Sequence, residues 1–299
     1  MFRNNQFVCW ALLLTSGILY GSSFSWMKLA VSGGANPLGM VFWFVLIAGF
    51  VLGCKQLLFG RERIFGPGLL AFCVPWAVLS VILPNLLFFY AAGKIQAGLI
   101  AIGISLVPIL TLSGAILLGR ESLNLRRAIG ITLGAIGVTM ILLPDTSLPK
   151  AGDALYVVIA FAGACCYAAE HLFIEIRIPK EVRLESLLFL MFLSAVLILF
   201  PLVLLTDTFV VPNWPLQTTE LAILTVAAVT LLDYFIITLL IVWAGPVFTS
   251  QAAYIVTLAG VAWGIVIFDD VHSPWIWAAM FVLMVGLTFV RPRFAVETP

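Results

Sequence analysis

Charge is what this sequence has least of. Charged residues make up 10% of its 299 positions and histidines number 2, where a soluble domain carries about 25% charged residues. With 63% hydrophobic residues and a mean hydropathy of +1.17, an ordinary water-soluble fold is excluded. The 15 basic and 14 acidic residues nearly cancel and are spread thinly. Neither a nucleic-acid surface nor an acidic partner is expected from such a balance. The five cysteines (Cys9, Cys54, Cys73, Cys165 and Cys166) are odd in number and sit in apolar runs, so they read as small buried hydrophobes rather than a disulfide framework. Zinc-protease patterns, phosphate-binding loops and a hydrolytic cytoplasmic domain are also missing. No catalytic residues, metal ligands or cofactor are expected, and the chain does not read as an enzyme.

Long apolar runs fill the space that charge leaves. About 20 apolar residues cross the hydrocarbon core as a helix, and cutting at charges, Pro/Gly breaks and polar turns gives ten spans: 7–31, 38–59, 69–90, 96–118, 126–143, 153–176, 186–206, 218–243, 247–268 and 274–290. The first run, Phe7 to Met27, is too long for a signal-peptide core and reads as a retained span. The sequence therefore predicts an all-α polytopic membrane protein, with the bilayer as its surroundings. If both termini are cytoplasmic, 12 basic residues (Arg3, Lys55, Arg61, Arg63, Arg120, Arg126, Arg127, Arg177, Lys180, Arg183, Arg291 and Arg293) lie inside against 2 outside, Lys94 and Lys150. That asymmetry fixes the expected orientation, in an inner membrane.

The two halves echo each other. Leu19-Tyr20-Gly21-Ser22 sits over Cys166-Tyr167-Ala168-Ala169, an offset that pairs Ser23 with Glu170 and Lys28 with Glu175. Arg120-Glu121 after the fourth span matches Asp269-Asp270 after the ninth, and Gly137 matches Gly286. Five spans per half is an odd number, so residues 1–147 and 148–299 are expected as a 5+5 inverted repeat, which places a substrate site near mid-membrane where the halves meet.

Ionisable groups inside a span mark such a site, because a charge in hydrocarbon costs about 2.5–3.5 kcal/mol on insertion scales. Tyr167, Glu170, His171 and Ile174 share one helical stripe, and Asp233 with Tyr234 lies well inside the eighth span. Two acids beside one cavity suit proton uptake or compensation of a cationic solute. Tyr20 and Ser23 share a face of span one, and Gln251 and Tyr254 a face of span nine. Asn85 follows Pro84, a proline that frees a backbone carbonyl. The expected site is lined by spans one, three, six and eight. Glu175 is expected to snorkel to the membrane edge, and Lys28 either snorkels or gates. Small-xxx-small patterns such as Gly17 to Gly21 and Gly260 to Gly264 suit close helix packing; monomer and homodimer both remain open.

In order and spacing, Tyr20-Gly21-Ser22-Ser23-Phe24 followed by Lys28, then Pro108, Leu117-Leu118-Gly119-Arg120-Glu121 and Gly130 through Gly137 resemble the EamA-type permeases of the drug/metabolite transporter superfamily. The likeness implies a ten-helix bundle that moves small organic solutes. Arg120 interrupts the family's Leu-Gly-Glu pattern, and Glu170 with Asp233 gives this core more acid than is usual there. The expected function is secondary active transport of a small organic metabolite, an amino acid or organic amine, by alternating access as proton-coupled export. The alternative is uptake of a quaternary ammonium or related cation through an aromatic and acidic pocket.

Overall fold

The structure, a computed structural model, describes residues 6–34, 36–59, 66–142 and 153–289. The regular elements among them are all helical: α1 (Gln6–Ser32), α2 (Pro37–Phe59), α3 (Pro67–Ala77), a π-helical turn (Val78–Ile82), α4 (Leu83–Ala92), α5 (Ala97–Ile104), α6 (Val107–Leu117) and α7 (Leu125–Leu142) in the first half. The second half holds α8 (Asp153–Arg177), α9 (Leu184–Leu205), α10 (Thr218–Ala244), α11 (Pro246–Thr249), α12 (Ala252–Phe268) and α13 (Pro274–Thr288). Arg3, Arg61, Arg63, Lys150, Arg291 and Arg293, used to orient the chain, and the 147/148 division between halves lie outside the described residues.

Among the described residues eight stretches are long and apolar enough to cross a membrane, and shorter apolar stretches run through Ala128–Gly137 and Pro274–Gly286. They fall where the ten expected spans do. On α1 the exposed residues Phe7, Trp10, Leu14 and Ile18 recur at helical spacing, which gives that helix a lipid-facing stripe. The chain is a multi-pass membrane protein.

Three of the spans are not continuous helices, and local sequence says why. Pro84 has no N–H to return to the carbonyl of Ser80, four residues earlier, and the chain takes up the misfit as the π-helical turn between α3 and α4. Span four breaks at Ser105 and Leu106, just before Pro108 in the first turn of α6. Span nine breaks at Ser250 and Gln251, between α11 and α12. Before it, Gly245 takes φ +85, a left-handed conformation open to glycine, and Pro246 starts the new helix.

Packing joins the halves instead of separating them. α1 lies against α10 and α12, α8 against α4, α5 and α6, α2 against α9, α7 against α13, and α5 against α12. Exchanging the halves turns the α1 contacts into the α8 contacts and maps the other pairings onto themselves. At the α1–α12 contact the backbones nearly touch, since a Cβ added to Gly21 would sit 2.9 Å from the Val256 carbonyl oxygen. Small residues make that approach possible.

Candidate functional site

A cavity of about 50 Å3 opens where α1, α8 and α10 meet the broken spans four and nine. Tyr20, Tyr167, Glu170, His171, Asp233 and Tyr234 line it, together with Ser16, Ile104, Val107, Thr249 and Ser250. Six of the ten expected site residues therefore converge. Glu170 and Asp233 are 2% and 8% exposed, so both carboxyl groups are held inside the bundle. Each has a donor. The Trp76 indole Nε1 donates to Glu170 Oε1 at 3.0 Å, and the Ser16 hydroxyl donates to Asp233 Oδ1 at 2.5 Å. The Tyr20 and Tyr167 hydroxyls share a hydrogen bond, and their rings meet edge to face at 6.1 Å. His171 Nδ1 is buried without a hydrogen-bond partner. A polar atom in that condition is waiting for water or a ligand.

The other four expected residues stand apart from the cavity lining. Ser23 donates back to the Tyr20 carbonyl at 2.6 Å, satisfied within its own helix turn. Asn85 is fully buried and donates to the Val81 carbonyl at 2.8 Å, bracing the proline break. Gln251 forms the turn before α12, adjacent in sequence to the lining residues Ser250 and Ala252. The Tyr254 hydroxyl is buried elsewhere without a partner. Span three, expected in the lining, stands behind it: Trp76 supports Glu170, and the Ser80 carbonyl freed by Pro84 accepts the Tyr234 hydroxyl. Spans four and nine take its place because their breaks face the cavity. Ser16, Trp76, Thr249 and Ser250 escaped the sequence reading; they are neutral side chains in apolar runs, Ser16 and Trp76 gaining significance only from the acids they serve and Thr249 and Ser250 only from the break that faces the cavity.

A second cavity, a cleft of about 820 Å3, lies toward one end of the bundle, lined in part by Arg120, Glu121, Glu175, Lys180, Val247 and Phe248. Val247 and Phe248 immediately precede Thr249 and Ser250 of the central cavity, so a single turn of α11 parts the two spaces. Cys9 and Leu13, near the start of α1, pack with Leu240, Ala244 and Phe248 at this end. The last turns of α1 mark the opposite end. There Lys28 Nζ lies 3.3 Å from Asp270 Oδ1 and 4.2 Å from the centre of the Phe268 ring. Lys28 is paired, not snorkelling alone. Small ligands occupy pockets of about 300–1,000 Å3. The cleft is of that size, while the central cavity, in this conformation, has room only for water-sized occupants.

Among the described residues no group of three or more His, Cys, Asp or Glu is placed to hold a metal ion. No curated protein matches the chain. Among solved structures, one described only as the crystal structure of a protein superposes with a TM-score of 0.61 at 17% identity, over 95% of this chain and 96% of that one. At that identity the likeness is one of fold. A family model, the EamA-like transporter family, matches residues 8–143. The drug/metabolite transporter likeness of the motifs thus has a family match beneath it, over residues 8–143.

Proposed function

We propose that this protein is a secondary transporter that exports small organic amines in exchange for protons. Its two halves, as an inverted repeat, rock around the cavity between Glu170 and Asp233. The convergence of two buried carboxyl groups with three tyrosines, in a lining that holds no Lys or Arg among the described residues, carries this reading. A cation or a proton is what such a site lacks. An amino acid would bring its own carboxylate toward Glu170 and Asp233, where no cationic side chain meets it, so an amine without a carboxylate fits better. Ser16 and Trp76 hold the acids in place, and His171 offers a nitrogen with no protein partner. With both termini cytoplasmic in an inner membrane, the cleft opens to the cytoplasm.

The Tyr20–Tyr167 pair and Phe88, whose ring lies 5.6 Å from that of Tyr167, favour a second reading. It is uptake of a quaternary ammonium compound by cation–π attraction without protons. In proteoliposomes loaded with labelled amines, the first reading expects transport driven by a pH gradient. It also expects near-complete loss of transport in Glu170→Gln and in Asp233→Asn, with both variants still monodisperse. Full activity in Glu170→Gln removes both readings, and transport indifferent to the pH gradient leaves only the second.

A further inference from the structure

The Lys28–Asp270 pair has a counterpart at the other end of the bundle. The offset that sets Tyr20 over Tyr167 sets Lys28 over Glu175. The backbone supplies the second match. Gly119 and Asp269, each just after its span, both take left-handed conformations, φ +67 and φ +52, and Gly114 and Gly264 stand five residues before them. Aligned on these features, Asp270 corresponds to Arg120, which corrects by one residue the pairing of Arg120-Glu121 with Asp269-Asp270. Packing agrees, because α1 against α12 becomes α8 against α6 when the halves are exchanged. A lysine and an aspartate at one end thus correspond to a glutamate and an arginine at the other, with the signs reversed.

The two ends are in different states. Lys28 and Asp270 are in contact, while Arg120 and Glu175 both line the cleft, exposed, with no ion pair between them. We infer that Arg120 and Glu175 form the closing ion pair of the cleft end, in a second conformation in which Lys28 and Asp270 have parted. This rests on the alternating-access reading. Closing the cleft removes both side chains from water, and a buried charge is tolerated when its partner arrives with it. One charge pair opens as the other closes, so each conformation keeps one end sealed. Gly264 makes room at the closed end: a Cβ there would lie 3.0 Å from Asp270 Oδ2. Glu121 and Lys180 also face the cleft. Lys180 follows Glu175 by five residues on the same segment, so a contact between those two reports no movement of α6 against α8.

The test is crosslinking of the full chain in vesicles, without substrate, with the five native cysteines replaced and Arg120→Cys and Glu175→Cys introduced together. A short bismaleimide should link the two positions within one molecule. Adding Lys28→Gln, which releases the opposite end, should raise the yield at least about fivefold, the scale of an ordinary coupling between sites. Monodisperse protein that gives no intramolecular link, or a yield indifferent to Lys28→Gln, overturns the inference. In the native-cysteine protein, Arg120→Glu and Glu175→Arg should each depress amine transport, and their combination should restore it; additive losses overturn the pairing of charges. Since crosslinking needs no solute, a chain that links as expected yet moves no amine keeps this inference and loses the proposed substrate.

Discussion

Tyr234→Phe tests whether the cavity wall is braced as the structure indicates. The phenol is 4% exposed, and its hydroxyl donates to the Ser80 carbonyl, which Pro84 leaves without its usual helical donor. Removing the hydroxyl keeps the ring and its edge-on contact with Phe192 at 5.8 Å, so the change removes hydrogen bonding and leaves the packing. The Ser80 oxygen then retains the Asn85 amide at 3.5 Å, a long contact. Losing a buried hydrogen bond costs about 0.5–1.5 kcal/mol, rising to about 1–3 kcal/mol where an acceptor is left bare. Within membranes, measured values average about 0.6 kcal/mol and reach about 1.7 kcal/mol. A loss of about 1–1.5 kcal/mol is expected in equilibrium unfolding with mixed micelles. Pro84→Ala restores an N–H to serve Ser80, so in that background Tyr234→Phe should cost little, giving a coupling of about 1 kcal/mol. Amine affinity should change less than about twofold, since the hydroxyl is already engaged in the wall. Equal losses in both backgrounds, or a stability indistinguishable from the parent, would refute the reasoning.

Replacing Gly21 by Leu should lower the thermal midpoint and reduce transport, because the new side chain meets the α12 backbone at Val256 and overpacking costs about 1–3 kcal/mol. Gly68→Ala, with open space around it, serves as the neutral control. His272, in the turn after α12, responds to acidity. Burial pushes its imidazole below the ordinary value; Asp270 opposes the shift and Lys28 adds to it. As pH falls through about 6.5, the unfolded chain takes up a proton that the folded one resists, so stability declines there and is unaffected at higher pH. Thermal midpoints between pH 8 and 5.5 should show that decline in the parent and a flatter profile in His272→Gln; parallel profiles would exclude His272 as the source.

The spans and the two acids were legible because hydrocarbon makes charge expensive. Glu170 and Asp233 stood out against their apolar runs; Tyr167 came with Glu170 through helical spacing and Tyr234 as the neighbour of Asp233. Distance along the chain hid their supports. Trp76 lies 94 residues from Glu170 and Ser16 lies 217 from Asp233, and nothing local in either helix points to its partner. Asn85 was found for a sound reason, the freed carbonyl at Pro84, but that carbonyl was already taken by Tyr234. Pro108 drew notice only as part of the family likeness; only the fold shows that the breaks in spans four and nine face the cavity, displacing span three from its wall.

The packing of α1 also bears on how the chain is made. It is made before every other described helix, yet its main neighbours, α10 and α12, begin at Thr218 and Ala252. Until those segments emerge, Ser16 has no Asp233 to serve, and the glycine-lined surface of α1 has no helix to receive it. Pairings so distant in sequence form late. The central cavity is thus among the last features to assemble, and a ribosome stalled before α10 would carry most of a bundle and none of its acidic pair's partnership with α1.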